Sequence, residues 1–469
     1  MATVTCPGCL ERDAEIADLK RRVAELEALV RDLTARLGAN ATNSSTPPSA
    51  NPPGAPKPVA KRRTGRKPGG QPGHTAHLKR RLPPGRVDRV VPFVPDRCGR
   101  CREPLPPNPG PWDPEPTWHQ VVELPPMAAE VTEYQGHFRT CPGCGAVNHA
   151  PVPAEVKAHS VGPRLAATLA YLAGSHRVSK RGLEEITEDV FDAPLALGTV
   201  ANLEGQMSEA LAPAHAEALA AVRGAAVKHV DETSWKLAGK LCWLWAAATG
   251  TAAAFLIHAH RGWDALVALL GEEVTGFVCS DRWSAYARLS PYCRQVCWAH
   301  LKRDFQKLVD RGGPAARLGE KLQGVAERVF AEWHLFRGGG CDRHQLQLRL
   351  SPDAERLERL LRAGRRCADA KAATFCGNVL ELQPAVWRFV VSEGVEPTNN
   401  HAERVLRRGV LWRKGAFGCS SAAGCRFVER LLTVVQTRRL QGRSVLRYLY
   451  DALVAHRGGL PAPLLLPAE

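Results

Sequence analysis

The chain has 469 residues, roughly three domains at about 150 residues each and ample length for a buried core, which excludes a peptide-scale scaffold. Its 63 Lys and Arg against 47 Asp and Glu leave a net charge of +16, which points to a polyanionic partner. No run approaches the ~18 apolar residues of a spanning helix, and no signal-peptide order opens the chain, so nucleic acid in the cytoplasm is expected, with no membrane. The 15 Cys form an odd set with several CxxC pairs, which in a reducing compartment suits metal better than disulfides.

Residues 16–37 place Ile16, Leu19, Val23, Leu26, Val30, Leu33 and Leu37 at 3-4 spacing, with mostly polar residues and Ala between them. β-branched residues at three a positions and Leu at the d positions predict a parallel two-stranded coiled coil and hence a homodimer or higher oligomer, within a dimerisation segment at 1–42. The competing reading is one amphipathic helix packed on its own chain. Ahead of the coil, Cys6 and Cys9 spell Cys-Pro-Gly-Cys, which two chains of a parallel dimer could pool.

A Pro-, Ser- and Asn-rich tether follows, too poor in large apolar groups to fold, and then a basic stretch; together they span 43–90. Between Lys57 and Arg81 there are nine cations and no acid. Lys61, Arg62, Arg63, Arg66 and Lys67, held beside Pro and Gly, can follow a groove of double-stranded DNA and contact its phosphates. Cys98 and Cys101 form one CxxC, and Cys141 and Cys144 another, with β-prone sequence at 117–139 between them. Two such knuckles supply the four thiolates of a tetrahedral zinc site, which makes 91–155 a small β-rich zinc-binding module. Four thiolates leave no open position, so this Zn²⁺ is structural.

Residues 156–225 read as a helical connector. The pattern then changes to strands at 226–232, 241–249 and 252–260, a helix at 263–270, a strand at 276–280, a helix at 284–289 and a strand at 294–298. A three-strand meander running into β-α-β units is the order of an α/β, ribonuclease-H-like mixed sheet, placing the first part of a catalytic domain at 226–305. An Arg-, Leu- and Ala-rich helical insertion at 306–394 splits that domain from its second part at 395–440, and 441–469 reads as a tail.

Asp231 ends the first of these strands and Asp281 follows the fourth, and strand ends are where open α/β sheets gather ligands. In the ribonuclease-H-like order those strands are neighbours, so the carboxylates face each other and need a divalent cation, Mg²⁺ for phosphoryl chemistry. Glu403, in the first turns of a helix opened by Pro-Thr-Asn, supplies a third acid. Arg404, Arg408, Arg413 and Lys414 follow it as candidate DNA contacts. Cys297 with His300 and Cys341 with His344 form two CxxH pairs, either a mixed thiolate and imidazole site or a buried Cys beside a bonded His.

The words around the three acids resemble transposases of the insertion-sequence sixty-six family. The resemblance is carried by Gly-Arg-Lys-Pro-Gly-Gly-Gln-Pro-Gly-His at 65–74, the paired CxxC, and the segments 229–233, 280–286, 297–305, 399–404, 413–418 and 420–424, in order along nearly the whole chain. It implies that Asp231, Asp281 and Glu403 are a DDE triad holding two Mg²⁺ ions, which nicks element ends to free 3′-hydroxyls and joins them to target DNA. It also implies a nucleoid-associated protein and accessory proteins from the same element. The chain departs from the family pattern at Arg282 and Trp283 after the second Asp, and at Trp-Arg-Lys-Gly-Ala-Phe (412–417). A DNA-binding protein without catalysis, and a nuclease that hydrolyses without joining, are the other two classes the residues allow.

Overall fold

A computed structural model describes residues 7–37 and 81–467, and the chain divides into two compact units, Lys57–Ala129 and the remainder. The tether and the cations Lys61, Arg62, Arg63, Arg66 and Lys67 lie outside the described residues, as does Cys6. No helix among the described residues is long and apolar enough to cross a membrane.

In the smaller unit, Cys98 opens a tight turn in which its N–H donates to Glu103 O (2.8 Å) and its carbonyl accepts from Arg102 N (3.0 Å). The β-prone run at 117–139 forms no strand before Phe138 among the described residues. Pro125 and Pro126 interrupt it, and a proline has no N–H to give a ladder. The β-rich character expected there is therefore confined, in the larger unit, to a short hairpin of β1 (Phe138–Thr140) and β2 (Val147–His149).

In the larger unit, α1 (Pro7–Leu37) is one helix. Ile16, Leu19, Val23, Leu26 and Val30 are 48% to 60% exposed, so these five residues are not buried on their own chain.

Five α-helices follow the hairpin: α2 (Ala154–Lys157), α3 (Pro163–Tyr171), which runs on into a π-helical turn (Leu172–His176), α4 (Lys180–Asp189), α5 (Leu197–Ala210) and α6 (Ala212–Gly224). They lead into a sheet of β3 (Val227–Leu237), β4 (Lys240–Ala248), β5 (Ala253–His258), β6 (Phe277–Ser280) and β7 (Arg294–Val296), with α7 (Trp263–Leu270) between β5 and β6. The order is β5-β4-β3-β6-β7, antiparallel among the first three and parallel from β3 to β7. A mixed five-strand sheet with flanking helices is consistent with a ribonuclease-H-like core. β3 runs five residues past the expected Glu232, because Ala238 and Gly239 both take positive φ (47° and 78°) and close a two-residue hairpin to β4.

Beyond the sheet come α8 (Trp298–Asp310), α9 (Gly313–Arg337), α10 (Arg343–Gly364), α11 (Ala370–Glu381), α12 (Gln383–Val386), α13 (Arg388–Val391), α14 (Asn400–Ala416), α15 (Ala422–Leu440) and α16 (Val445–Arg457). Alternation along the strands decides what each face buries. Val230, Trp245, Ala247 and Val278 pack with α7 on one side; Leu244, Ala246 and Phe255 pack with Val405, Leu406 and Leu432 of α14 and α15 on the other. Gly409 lets α14 approach, since a Cβ there would lie 2.3 Å from Leu244 Cδ2. The helices α9 to α11 share one core with Trp298 and Phe305 of α8 and with Cys279 and Val296 of the sheet. The segment expected as a tail carries α16, which buries Tyr448, Leu449 and Leu453 against α3 and α5.

The outer strand β5 is covered by side chains of α15. Ala253 N, Phe255 N and Ile257 N donate to Thr437 Oγ1 (3.0 Å), Thr433 Oγ1 (3.0 Å) and Glu429 Oε1 (2.5 Å). The periods match: four helical residues rise ~6.0 Å and two strand residues ~6.6 Å. An edge that would otherwise present free N–H groups is thereby satisfied.

Candidate active site

The register places the first two acids. β3 and β6 are parallel neighbours with His229 opposite Cys279; Asp231 follows two residues on along β3, and Asp281 lies just past the end of β6. The odd-numbered residues of this stretch face α8 and α14, as Cys279 does in its core with Trp298 and Leu301. Glu403 comes to the same face in the first turn of α14.

Asn399 fixes where that helix starts. Its Nδ2 donates to Val230 O (2.7 Å), its backbone N donates to Cys297 Sγ (3.2 Å), and its carbonyl accepts from Glu403 N (3.3 Å). Because the Asn399 amide nitrogen is committed to Val230, its Oδ1 accepts from His229 Nδ1 (3.2 Å). Burial, with the charges of His401 and Arg404, holds the His229 imidazole down at about 4. His401 donates through Nε2 to Thr249 O (2.7 Å).

The electrostatics of Asp231 report on its neighbours. Burial raises its carboxyl well above the ordinary range, and the carboxylates of Glu232, Glu403 and Asp281 raise it further. Oxygen ligands that repel one another in this way suit a hard divalent cation, so the donor set fits Mg²⁺. Asp281 accepts at Oδ1 from Trp283 N (2.8 Å). Its carbonyl accepts from Arg294 Nη2 (2.5 Å), and Arg294 also donates to Ser280 Oγ and Tyr286 O. On the other flank His300 Nδ1 and Arg303 Nη2 stand 3.7 and 3.8 Å from Glu403 Oε1. His300 Nδ1 is buried with no hydrogen-bond partner, and burial followed by the Arg303 charge holds its pKa low.

The cations expected to meet DNA on α14 divide in two. Arg404 and Lys414 are exposed. Arg408 donates to Ser175 O (2.7 Å), and Arg413 donates to Thr233 Oγ1 (2.9 Å) and Ser234 O (2.7 Å). Both are half-buried, and through these bonds they tie α14 to the fold. Cys297 is buried, its thiol pushed up to about 11 by burial while its sulfur accepts from Asn399 N, and Cys341 is buried in the apolar core around α9 and α10.

In each CxxC pair, backbone amides aim at the first sulfur. The N–H groups of Cys101 and Arg100 lower the Cys98 thiol, and those of Cys144 and Gly143 lower the Cys141 thiol, as a thiolate knuckle requires. Among the described residues a different group brings three ligating side chains within 4.8 Å of one another: His258, His260 and Asp264. It could hold a divalent ion, although His260 Nδ1 and Asp264 Oδ2 already bond at 2.5 Å. The sequence signal for it is His-x-His-x₃-Asp at the end of a strand, which the search for acids passed over.

Residues 159–426 match the model of the family described as Transposase IS66 family. Residues 6–80 match a family of unknown function, DUF6444. A curated relative, the uncharacterized protein y4qI of Sinorhizobium fredii (strain NBRC 101917 / NGR234), is 24% identical over 249 residues, covering 47% of this chain and 44% of its own length. The chain thus spans less than half of that relative.

Proposed function

The chain belongs to the IS66 family of transposases, and on that premise we propose that it is a Mg²⁺-dependent DNA transposase whose DDE triad is Asp231, Asp281 and Glu403. The observation that supports this reading is the placement of the three acids: Asp231 on β3, Asp281 just past the end of the neighbouring parallel strand β6, and Glu403 in the first turn of α14. Two Mg²⁺ ions held by these three carboxylates would supply Lewis acidity at the scissile phosphate. The chain's own part is to hold the oxygens in place. Asn399 fixes Glu403 against the strand that carries Asp231, Arg294 fixes the backbone at Asp281, and His300 and Arg303 flank Glu403. A fixed site of this kind can serve twice, once when water attacks the element end and once when the freed 3′-hydroxyl attacks target DNA.

Arg404 and Lys414, with Lys61, Arg62, Arg63, Arg66 and Lys67, contact phosphates of element ends and target. Each CxxC pair, Cys98 with Cys101 and Cys141 with Cys144, supplies two thiolates for structural Zn²⁺. The exposed seam of α1 pairs with that of a second copy, because apolar residues at 3-4 spacing left in water favour burial against an identical stripe. Protein of this kind acts at the nucleoid in the cytoplasm, with accessory proteins of its element.

The test is incubation with Mg²⁺ and DNA carrying the sequences that flank the gene. Nicked ends and joined products are expected from the wild type and from neither Asp231→Asn nor Glu403→Gln. Nicking without joining would favour a nuclease, and binding without cleavage a non-enzymatic DNA-binding protein.

A further inference from the structure

Asp231 and Glu232 are neighbours that point to opposite faces of β3, and the second is not a surface acid. Its side chain is 1% exposed, so its charge must be met inside the fold. Arg261 meets it through Nε and Nη2, both 2.8 Å from Oε1, and Tyr286 OH donates to Oε2 at 2.6 Å. Arg261 lies in the short connection between β5 and α7, and its guanidinium lies against two indoles, 3.8 Å from the Trp283 ring centre and 4.7 Å from that of Trp243. Trp283 returns the contact, its Nε1 donating to Arg261 O (3.0 Å), while its backbone N donates to Asp281 Oδ1 (2.8 Å).

These contacts close a path from the residue beside Asp231 through Arg261 and Trp283 to the carboxylate of Asp281. We propose that Arg261 is a positioning residue that, gripped by Glu232 and Trp283, sets the separation of the Asp231 and Asp281 carboxylates. The inference rests on the metal-binding role assigned above to the two acids. It also gives a physical role to Trp283, which bonds both Arg261 O and Asp281 Oδ1. Lysine cannot substitute, because the site uses a planar cation that bonds a carboxylate through two nitrogens while stacking on a ring.

The experiment is Mn²⁺ binding by the full-length protein, followed by electron paramagnetic resonance, beside the Mg²⁺ dependence of strand cleavage. The variants are Arg261→Lys, Trp283→Ala, the double variant Glu232→Gln with Arg261→Gln, and Asp231→Asn. The double variant leaves no unpaired buried charge, and Trp283 is partly exposed, so these two keep the test open if Arg261→Lys does not fold. Expected for all clamp variants is Mn²⁺ binding weakened about 10-fold or more. The Mg²⁺ concentration for half-maximal cleavage should rise likewise, with most of the maximal rate recovered at high Mg²⁺, a split that a general loss of structure would not give. Folded clamp variants with wild-type Mn²⁺ affinity and Mg²⁺ dependence would overturn the proposal while leaving the triad intact. If Asp231→Asn binds Mn²⁺ like the wild type, the assignment of the acids fails, and this proposal with it.

Discussion

Glu429 gives a prediction with a sign and a size. It sits on α15, buried against the edge of β5, with Oε1 accepting from Ile257 N. Burial pushes its carboxyl from 4.5 up to about 7. The folded protein therefore keeps this proton at pH values where the unfolded chain has released it, so stability falls as pH rises from about 4.5 and levels off a little above 7. At ~1.36 kcal/mol per pH unit, that interval amounts to ~3 kcal/mol lost by pH 8. Glu429→Gln keeps the carbonyl acceptor for Ile257 and removes the titration. Any cost of seating the amide is independent of pH, so the slope carries the test. Urea unfolding of wild type and variant across pH 4.5 to 8 should give curves that separate by ~3 kcal/mol towards high pH, in the variant's favour. Curves that stay parallel would refute the placement of a buried, protonated Glu429 on the edge of β5.

Other outcomes follow from the same contacts. Gly409→Ala adds a Cβ 2.3 Å from Leu244 Cδ2; overpacking of ~1–3 kcal/mol less ~1 kcal/mol of helix propensity leaves the fold weakened by at most ~2 kcal/mol. Because α14 carries Glu403, strand joining should fall further than thermal stability does, and equal losses would sever the link. Asp231→Asn should raise the melting temperature of metal-free protein by removing repulsion among the acids, and should abolish the further rise that Mg²⁺ gives the wild type; an unchanged Mg²⁺ response would count against the site. Zinc chelation should end specific binding to element ends while the thermal transition of the mixed sheet persists, and loss of that transition would refute a separate zinc module.

The sheet was legible because its strands carry plain signals: β-prone runs of the right length, a Gly-Thr turn between β4 and β5, and helical periodicity at α7. The end of β3 was less so, since Ala238-Gly239 is not among the common hairpin spellings and Ala must accept a positive φ of 47°. Asp281 and Glu403 stood out at a strand end and a helix start, whereas Asp231, expected at a strand end, lies in the middle of β3 because that strand runs on to Leu237. Their supports did not stand out. The Glu232, Arg261 and Trp283 path joins residues 29 and 22 positions apart, and nothing in local spacing marks it. The bonds of Arg408 and Arg413 were hidden for a related reason: a run of cations after an acid looks the same whether guanidiniums face water or bond Ser175 and Ser234. The strands expected at 117–139 show the limit of β-propensity, which without a partner strand makes no ladder.

The most direct measurement is metal rescue at one acid. In the Asp231→Cys variant a thiolate replaces the carboxylate, a ligand that Mn²⁺ accepts more readily than Mg²⁺. Joined product on element-end DNA should be lost in Mg²⁺ and recovered in Mn²⁺, while Asp231→Ala stays inactive in both. Full joining by Asp231→Cys in Mg²⁺, or by Asp231→Ala in either ion, would show that Asp231 does not hold the metal and would contradict the account.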